Sequence, residues 1–192
     1  MTNDNDQRQI ILSAAKKLLS RFGLEKTTME DIAKAAGKGK SSLYYYFGSK
    51  EEVYAEVIRK EIAGLKTTIR QAIAKEDDPY NKFARFVDTR LNYLNEKADQ
   101  FTTIKDEYLK HYRFIQNLTA EYSDWEMSTI KEIIEYGRDR NLFLVTDSET
   151  ISRAIFFALK GLEYPWTTNL TRTELQKSVY VLVDILLKGI SK

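Results

Sequence analysis

The sequence predicts an all-α fold of about nine helices, with an N-terminal three-helix domain at 1–49 and a larger helical domain at 50–192. Three observations support this prediction. Apolar residues recur with helical spacing along most of the chain. A Ser/Thr-x-x-Glu capping box opens three of the predicted helices. Only two prolines and eight glycines occur among 192 residues, which suits an all-helical protein.

The first predicted helix runs from about Asp6 to Phe22. Its apolar residues are spaced to line one face, and Gly23 follows as a typical helix stop. The predicted stripe consists of Ile11, Ala14, Ala15, Leu18 and Phe22.

Two short helices joined by a glycine-bearing turn come next, which is the layout of a helix-turn-helix. Thr27 is predicted to cap the first of them, and Glu30, three residues on, completes a capping box. Gly37 permits the sharp exit turn, because glycine tolerates positive φ. Ser41 or Ser42 supplies the predicted cap of the second helix.

The second short helix is predicted to bury Leu43 and Phe47 and to end at Gly48. Its other side is rich in donors suited to phosphates and base edges, and its N-terminus adds backbone N–H groups. Taken singly, each donor also fits a solvated turn beside half-buried tyrosines. Together they favour a DNA-binding surface, whose candidate residues are Thr27, Lys38, Lys40, Ser41, Ser42, Tyr44, Tyr45, Tyr46 and Lys50.

Residues 10–60 resemble the N-terminal DNA-binding domain of the TetR family of bacterial transcriptional regulators. The matching segments are TTMEDIAKAAG at 27–37, KGKSSLYYYF at 38–47 and SKEEVY at 49–54. Two positions depart from the family pattern. The family usually has a small apolar residue at the position of Lys38, and it often has Ser or Thr at the position of Gly39.

The resemblance implies roles for the matching residues. Thr27 corresponds to a capping threonine that often contacts a phosphate. The positions where base edges are read are Lys40, Ser41 and Ser42. The positions where backbone phosphates are gripped are Tyr44, Tyr45 and Lys50, with Tyr46 placed for either contact.

Charge and composition agree with a globular DNA-binding protein. The net charge is +2, but residues 1–50 carry nine Lys or Arg against five Asp or Glu, a charge of +4. This excess has the sign expected for contact with DNA. The absence of cysteine excludes disulfides and thiolate metal sites. Neither a secretory signal nor a membrane-spanning apolar run is visible, so a cytoplasmic location is expected.

The predicted body begins with a long helix at 50–75. Asp78 as N-cap and Pro79 as first helical residue mark the start of the next, whose apolar pattern covers 80–95. The region at 99–114 is less regular.

Three further helices are predicted. Ser123 or Asp124 caps one that ends before Asn141, a residue suited to a left-handed stop. A helix at 147–164 and another opened by the capping box at Thr171 complete the body.

In the family, the last two helices pair with those of a second subunit as a four-helix bundle. Small residues allow close approach there, and broad apolar faces lie beside them. The alternative is that these faces pack only within their own subunit. The candidate dimer-interface residues are Ala154, Ala158, Gly161, Leu175, Val179, Leu182 and Leu186.

Regulators of this family commonly hold a small molecule between the middle helices, and aromatic side chains commonly line such pockets. The alternative, more frequent for any single aromatic residue, is that it packs in the core. His111, the only histidine, is expected on the surface or hydrogen-bonded. The candidate pocket residues are Phe83, Phe86, Tyr93, Phe101, Tyr108, Tyr112, Trp125 and Tyr136.

The resemblance implies a sequence-specific DNA-binding regulator. Its simplest form is a ligand-responsive repressor that binds a palindromic operator as a homodimer. An alternative of another class is a small-molecule-binding or interaction protein whose DNA-binding head has degenerated. No Ser-His-Asp set, metal cluster or phosphate-cradling glycine loop supports an enzyme, and no cofactor, metal or membrane partner is expected.

Overall fold

The computed structural model describes residues 4–100, 111–161 and 171–191, without the side chains of residues 98–100, 112 and 172. Within these ranges there are eight helices and, apart from one isolated β-bridge between Phe143 and Ser191, no β-structure. The predicted all-α fold is therefore confirmed. The helices are α1 (Asp4–Lys26), α2 (Met29–Ala35), α3 (Lys40–Tyr46), α4 (Lys50–Ile73), α5 (Pro79–Gln100), α6 (Tyr112–Asp139), α7 (Ser148–Gly161) and α8 (Arg172–Ile190).

Helix α1 contains a break at Gly23, the predicted stop. This residue has φ 76° and ψ 176°, a conformation that is essentially confined to glycine. A last helical stretch then continues to Lys26, so the helical region ends later than the sequence predicts. The Gly23 carbonyl, freed by the break, accepts a hydrogen bond from the Thr27 hydroxyl at 2.7 Å.

The N-terminal helices share one apolar core, which holds α3 in place. Leu43 and Phe47 are buried in it, as predicted from their four-residue spacing. Helix α4 adds Val53 and Val57 to the same core. The buried residues of α1 and α2 are Ile11, Leu12, Ala15, Leu19, Leu24, Met29, Ile32 and Ala33.

The chain forms two compact units. One draws on the described residues of Met1–Leu65 and Tyr93–Thr119, and the other on those of Lys66–Asn92 and Ala120–Lys192. Helices α4, α5 and α6 each contribute residues to both units. The division of function between 1–49 and 50–192 remains a prediction.

Helix α6 corrects one prediction. It runs without interruption through Ser123 and Asp124, so neither residue caps a helix. The reason is that Tyr122, Glu126 and Thr129 continue one buried face across this point, and the polar residues between them lie on other sides of the same helix.

The predicted end of this helix is confirmed. Asn141 has φ 60°, and the Leu142 N–H donates to the Gly137 carbonyl at 2.9 Å. Together with the bond from Asn141 N–H to the Arg138 carbonyl, at 2.8 Å, this is a Schellman motif.

Two predicted helix starts in the body are also confirmed. The Asp78 carboxylate accepts from the Asn81 N–H at 3.0 Å, and α5 begins at Pro79. Thr171 and Glu174 form a reciprocal capping box at the start of α8. The predicted end of α7 near residue 164 and most of the irregular region at 99–114 lie outside the described residues. No helix in the described ranges is long and apolar enough to cross a membrane.

Candidate nucleic-acid interface

The cap of α2 is Thr28 and not Thr27, which corrects the sequence prediction. The Thr28 hydroxyl accepts from the Asp31 N–H at 3.1 Å, and the Asp31 carboxylate accepts from the Thr28 N–H at 3.0 Å. Hydrogen bonds from Thr28 hold the pKa of Asp31 below its ordinary value. The sequence fits two overlapping capping boxes, Thr27 with Glu30 and Thr28 with Asp31, so spacing alone does not decide between them.

Thr27 has a different function in the fold. Its side chain is buried, and its hydroxyl is held by the Gly23 carbonyl. A buried hydroxyl is badly placed for a phosphate, whereas Thr28 is exposed at the N-terminus of α2. The Thr28 hydroxyl donates to the Asp31 carboxylate at 2.6 Å, so a phosphate would compete with that carboxylate. Sequence reasoning missed Thr28 because the first threonine of the pair also has a glutamate three residues on.

The turn between α2 and α3 is a Schellman motif centred on Gly37. This residue has φ 65°, its N–H donates to the Lys34 carbonyl at 3.1 Å, and the Lys38 N–H donates to the Ala33 carbonyl at 2.9 Å. The unusual Lys38 therefore leaves the hydrogen bonds of the turn intact, because it contributes to them only through its backbone.

Gly39, and not Ser41 or Ser42, is the N-cap of α3, which is a second correction. It has extended φ/ψ and no side-chain hydrogen bond to the helix. Ser41 and Ser42 lie inside the first turn. Their hydroxyls are therefore placed on the side of α3 rather than at its tip.

One face of α3 carries exposed donors. Lys40, Ser41, Tyr44 and Tyr45 are all exposed, and their spacing of one, four and five residues puts them on one side of the helix. Tyr45 is the extreme case, with 75% of its surface exposed. Ser42 and Tyr46 are half-buried. The opposite side holds the buried anchors, so the core fixes the direction in which the donors point.

Lys40 already has a partner on this face. Its ammonium lies 2.5 Å from the Glu30 carboxylate, and both side chains are largely exposed. The hydrogen bond and charge of Glu30 raise the pKa of Lys40. Any contact of Lys40 with a base must therefore share or replace this carboxylate.

Tyr46 and Lys50 are engaged within the domain. The Tyr46 hydroxyl donates to Asp4 at 3.0 Å. The Lys50 ammonium donates to the Leu24 carbonyl at 2.8 Å and to the Glu25 carbonyl at 3.3 Å, at the end of α1. A cation there is favourable because the C-terminal end of a helix carries a partial negative charge. Phosphate contacts by these two residues remain predictions.

Comparison with known proteins agrees with this geometry. The family model for bacterial regulatory proteins of the tetR family matches residues 11–57. The HTH-type transcriptional repressor NicS of Pseudomonas putida is 30% identical over 165 residues, covering 84% of this chain and 76% of NicS. The chain belongs to the TetR family. As a TetR-family protein it is a DNA-binding transcriptional regulator, which confirms the resemblance drawn from residues 10–60.

Other TetR-related proteins match over different extents. YfiR, an uncharacterized HTH-type transcriptional regulator of Bacillus subtilis, is 32% identical over 107 residues, and the chain spans about half of its length, 51%. That match covers 54% of this chain. A transcriptional regulator from Cytophaga hutchinsonii has the same fold, with a TM-score of 0.80 at 23% identity, covering 96% of this chain and 98% of the other. A putative transcriptional regulator from Saccharomonospora viridis, in complex with choline, gives a TM-score of 0.78 at 19% identity. The match covers 98% of this chain and 100% of the other.

In this TetR-family chain, the predicted pocket residues of the second unit differ in burial. Phe83 and Phe86 are fully buried on α5, with ring centroids 6.0 Å apart. Trp125 stacks on Tyr122 at 5.7 Å and is only half-buried. The Tyr136 hydroxyl donates to a backbone carbonyl at 2.9 Å. These contacts show packing, and a pocket at these residues remains a prediction.

The other predicted pocket residues are placed elsewhere or not described. Tyr93 belongs to the first unit, where its hydroxyl donates to the Glu61 carbonyl at 2.9 Å. Phe101 and Tyr108 lie outside the described residues, as does the side chain of Tyr112, whose backbone begins α6. Among the described residues, no group of three or more acidic or histidine side chains is placed to hold a metal ion.

The TetR-family body contains a buried ion pair that sequence reasoning missed. Arg90 and Glu126 are 3% and 1% exposed, and the guanidinium donates to Glu126 Oε1. The Tyr122 hydroxyl donates to the same oxygen at 3.2 Å. A signal was available, since Arg90 lies seven residues after Phe83 and so continues an otherwise apolar face of α5.

The predicted dimer-interface residues divide into two sets. Leu175 and Val179 are buried within the chain itself. Ala154 and Gly161 are exposed, and Ala158, Leu182 and Leu186 are half-buried. Sequence reasoning missed three apolar side chains of α7 and α8 that are more than half exposed, namely Phe157 at 62%, Val181 at 59% and Ile185 at 61%.

Proposed function

We propose that this chain is a repressor that binds a near-palindromic operator as a homodimer and loses affinity for it when a small molecule binds the body. The observation that carries the proposal is the donor face of α3, which the buried anchors Leu43 and Phe47 hold outward. A recognition helix of this kind lies in the major groove.

The donor face suggests a division of labour. Lys40 and Ser41, in the first turn of α3, are suited to base edges, because the N-terminal residues of a recognition helix reach them. Tyr44 and Tyr45, one turn later, are suited to phosphates. Thr28 replaces Thr27 as the residue that brings the α2 N-terminus to a phosphate.

A homodimer supports the reading of a palindrome, because two-fold symmetry places two recognition helices on half-sites one helical turn apart, about 34–36 Å. Helices α7 and α8 offer apolar surface for this purpose. Phe157, Val181 and Ile185 are exposed, and Ala154 and Gly161 add small residues to the face of α7.

A small-molecule effector is supported by the aromatic residues of α5 and α6 and by the fold shared with a regulator solved in complex with choline. Helix α4 contributes residues to both compact units. A shift of α4 on effector binding would change the spacing of the two recognition helices. A cytoplasmic location follows from action on the bacterial chromosome.

The test is sequence-specific DNA binding. Duplexes selected from a random pool by the purified chain should share an inverted repeat, and affinity for it should exceed that for scrambled duplex by about a thousandfold or more. The Ser41→Ala variant should alter the selected sequence, whereas Ser178→Ala on α8 should not. Enrichment of no common sequence would contradict the proposal.

A further inference from the structure

The carboxylate of Glu126 has two oxygens in different situations. Oε1 accepts from Arg90 and from the Tyr122 hydroxyl. Oε2 is buried as well, but no hydrogen bond to it occurs among the described residues. A buried carboxylate oxygen without a donor is costly, so such an atom calls for an explanation.

Arg90 supplies a countercharge to the Glu126 carboxylate. Arg90 is a permanent cation, and its guanidinium donates directly to the Glu126 carboxylate. The pair is therefore neutral as a whole. A cationic guest at Oε2 would add a buried positive charge to this neutral pair, whereas a neutral O–H or N–H donor would satisfy the oxygen without adding charge.

Mostly apolar residues continue the buried helix faces that carry the pair. On α6, Ile130 and Ile133 lie four and seven residues after Glu126 and are buried, so they share its face. On α5, Phe83, Phe86 and Val87 form the buried face that Arg90 continues. A molecule that lies along these faces and reaches Oε2 would therefore be mostly apolar, with its donor at one end.

We infer that Glu126 Oε2 is the polar anchor of the effector site, and that the effector is a neutral, largely apolar molecule whose hydroxyl group donates to this oxygen. Arg90 is a positioning residue, which holds the carboxylate and compensates its charge. This inference rests on the proposed ligand response and gives it a chemical class.

Three probes of nearly equal size test the class on DNA-free protein. Benzyl alcohol carries a neutral donor, ethylbenzene carries none, and benzylamine is a cation at neutral pH. We expect benzyl alcohol to bind at least about tenfold more tightly than either of the others in ligand-observed NMR titrations, since only it makes the hydrogen bond without adding charge. Equal affinities, or a preference for benzylamine, would overturn the inference.

A double variant provides the matched control. Replacing Arg90→Met together with Glu126→Leu removes both charges, and an apolar replacement of a buried ion pair often keeps the fold stable. The preference for benzyl alcohol over ethylbenzene should then disappear or reverse. If it persists in a variant with native helix content, Glu126 is not the anchor.

A crystal soaked with benzyl alcohol completes the test. A probe hydroxyl within hydrogen-bond distance of Oε2 supports the inference, and an ordered water there without the probe overturns it. Because these measurements need no DNA, they remain informative if the operator experiment fails. A chain that binds an operator but shows no donor preference keeps the proposed function and loses only this assignment.

Discussion

At the residue scale, Tyr45 lies on the proposed DNA-binding face of α3. It is 75% exposed, and its ring meets that of Tyr46 edge-on at 5.0 Å. A tyrosine held outward beside a second ring is oriented without a large loss of side-chain freedom on binding. Lys38, in the preceding turn, is half-buried and carries a positive charge. We therefore expect the two residues to contribute different kinds of contact with DNA.

Salt dependence should separate these contacts. In the Lys38→Ala variant, the slope of log K against log salt should fall by about 0.9, because one phosphate neutralisation is lost. Tyr45→Phe should weaken binding to specific and random duplex alike and leave the slope unchanged, because the hydroxyl carries no charge. Fluorescence anisotropy at several salt concentrations measures both. The control is Lys177→Ala, which changes an exposed lysine of α8. If the slope is unchanged in Lys38→Ala, Lys38 does not contact a phosphate.

Gly137 is a residue whose importance comes from close packing. A Cβ added there would lie 2.2 Å from a ring carbon of the buried Phe143. Gly137→Ala should therefore lower the free energy of unfolding by about 1–3 kcal/mol, through forced displacement of the ring. In contrast, Gly64→Ala in α4, where a Cβ meets no other atom within 4 Å, should raise it by about 0.5–1 kcal/mol. Urea unfolding compares the two, and equal effects would contradict the packing argument.

At the scale of elements, Glu61 joins three helices within the first unit. Its carboxylate lies 2.5 Å from Lys16 of α1 and 2.5 Å from Lys97 of α5, and the Tyr93 hydroxyl is 3.3 Å away. Burial raises the pKa of Glu61, but the hydrogen bonds and charges of the two lysines outweigh it, so the pKa lies below the ordinary 4.5. The short helix α3, in contrast, is held mainly by apolar anchors.

The lowered pKa gives a pH dependence with a definite sign. The stabilisation by Glu61 should be complete above about pH 4.5 and should be lost as the pH falls through the lower folded-state pKa. Glu61→Gln should therefore destabilise by about 2 kcal/mol at pH 7 and by progressively less below pH 4.5. Urea unfolding at several pH values measures this, with the exposed Glu132→Gln as control. If the stability difference between wild type and Glu61→Gln grew toward low pH, the lowered pKa of Glu61 would be contradicted.

At the scale of the whole molecule, α7 and α8 carry apolar side chains that are exposed to water in the single chain. A partner that covers them would remove this apolar surface from water. Val181 and Ile185 lie four residues apart on α8 and share one exposed side, while Leu175 and Val179 face the interior of the chain. The same helix thus packs its own unit with one side and presents apolar surface with another. This arrangement suits a symmetric interface, in which the same patch serves both subunits.

Ile185→Glu should therefore convert the proposed homodimer to a monomer. The chain has a mass of 22.4 kDa, and light scattering should give about twice that for the wild type and one chain mass for the variant. Affinity for a palindrome should fall as well, because one half-site remains. Lys177→Glu, an exposed charge change on the same helix, should leave the dimer intact. A monomeric wild type at micromolar concentration would contradict the homodimer.

The motifs at 27–37, 38–47 and 49–54 indicated the family. Local patterns in the sequence predicted the all-α fold, the glycine turn at Gly37 and the helix starts at Pro79 and Thr171. These features depend on spacing and on the conformations that particular residues tolerate. Spacing also identified Leu43 and Phe47 as anchors, and thereby the outward face of α3.

Only the tertiary structure decided choices in which two local solutions had similar energies. Thr27 and Thr28 both fit a capping box, and burial of Thr27 against Gly23 selected Thr28. Likewise, every apolar residue of α8 fits a helix face, but packing determined that Val179 points inward and Ile185 outward. The pairing of Arg90 with Glu126 joins residues 36 apart in the chain. No local pattern specifies it, because the energy of a buried charge depends on which side chain the fold brings beside it.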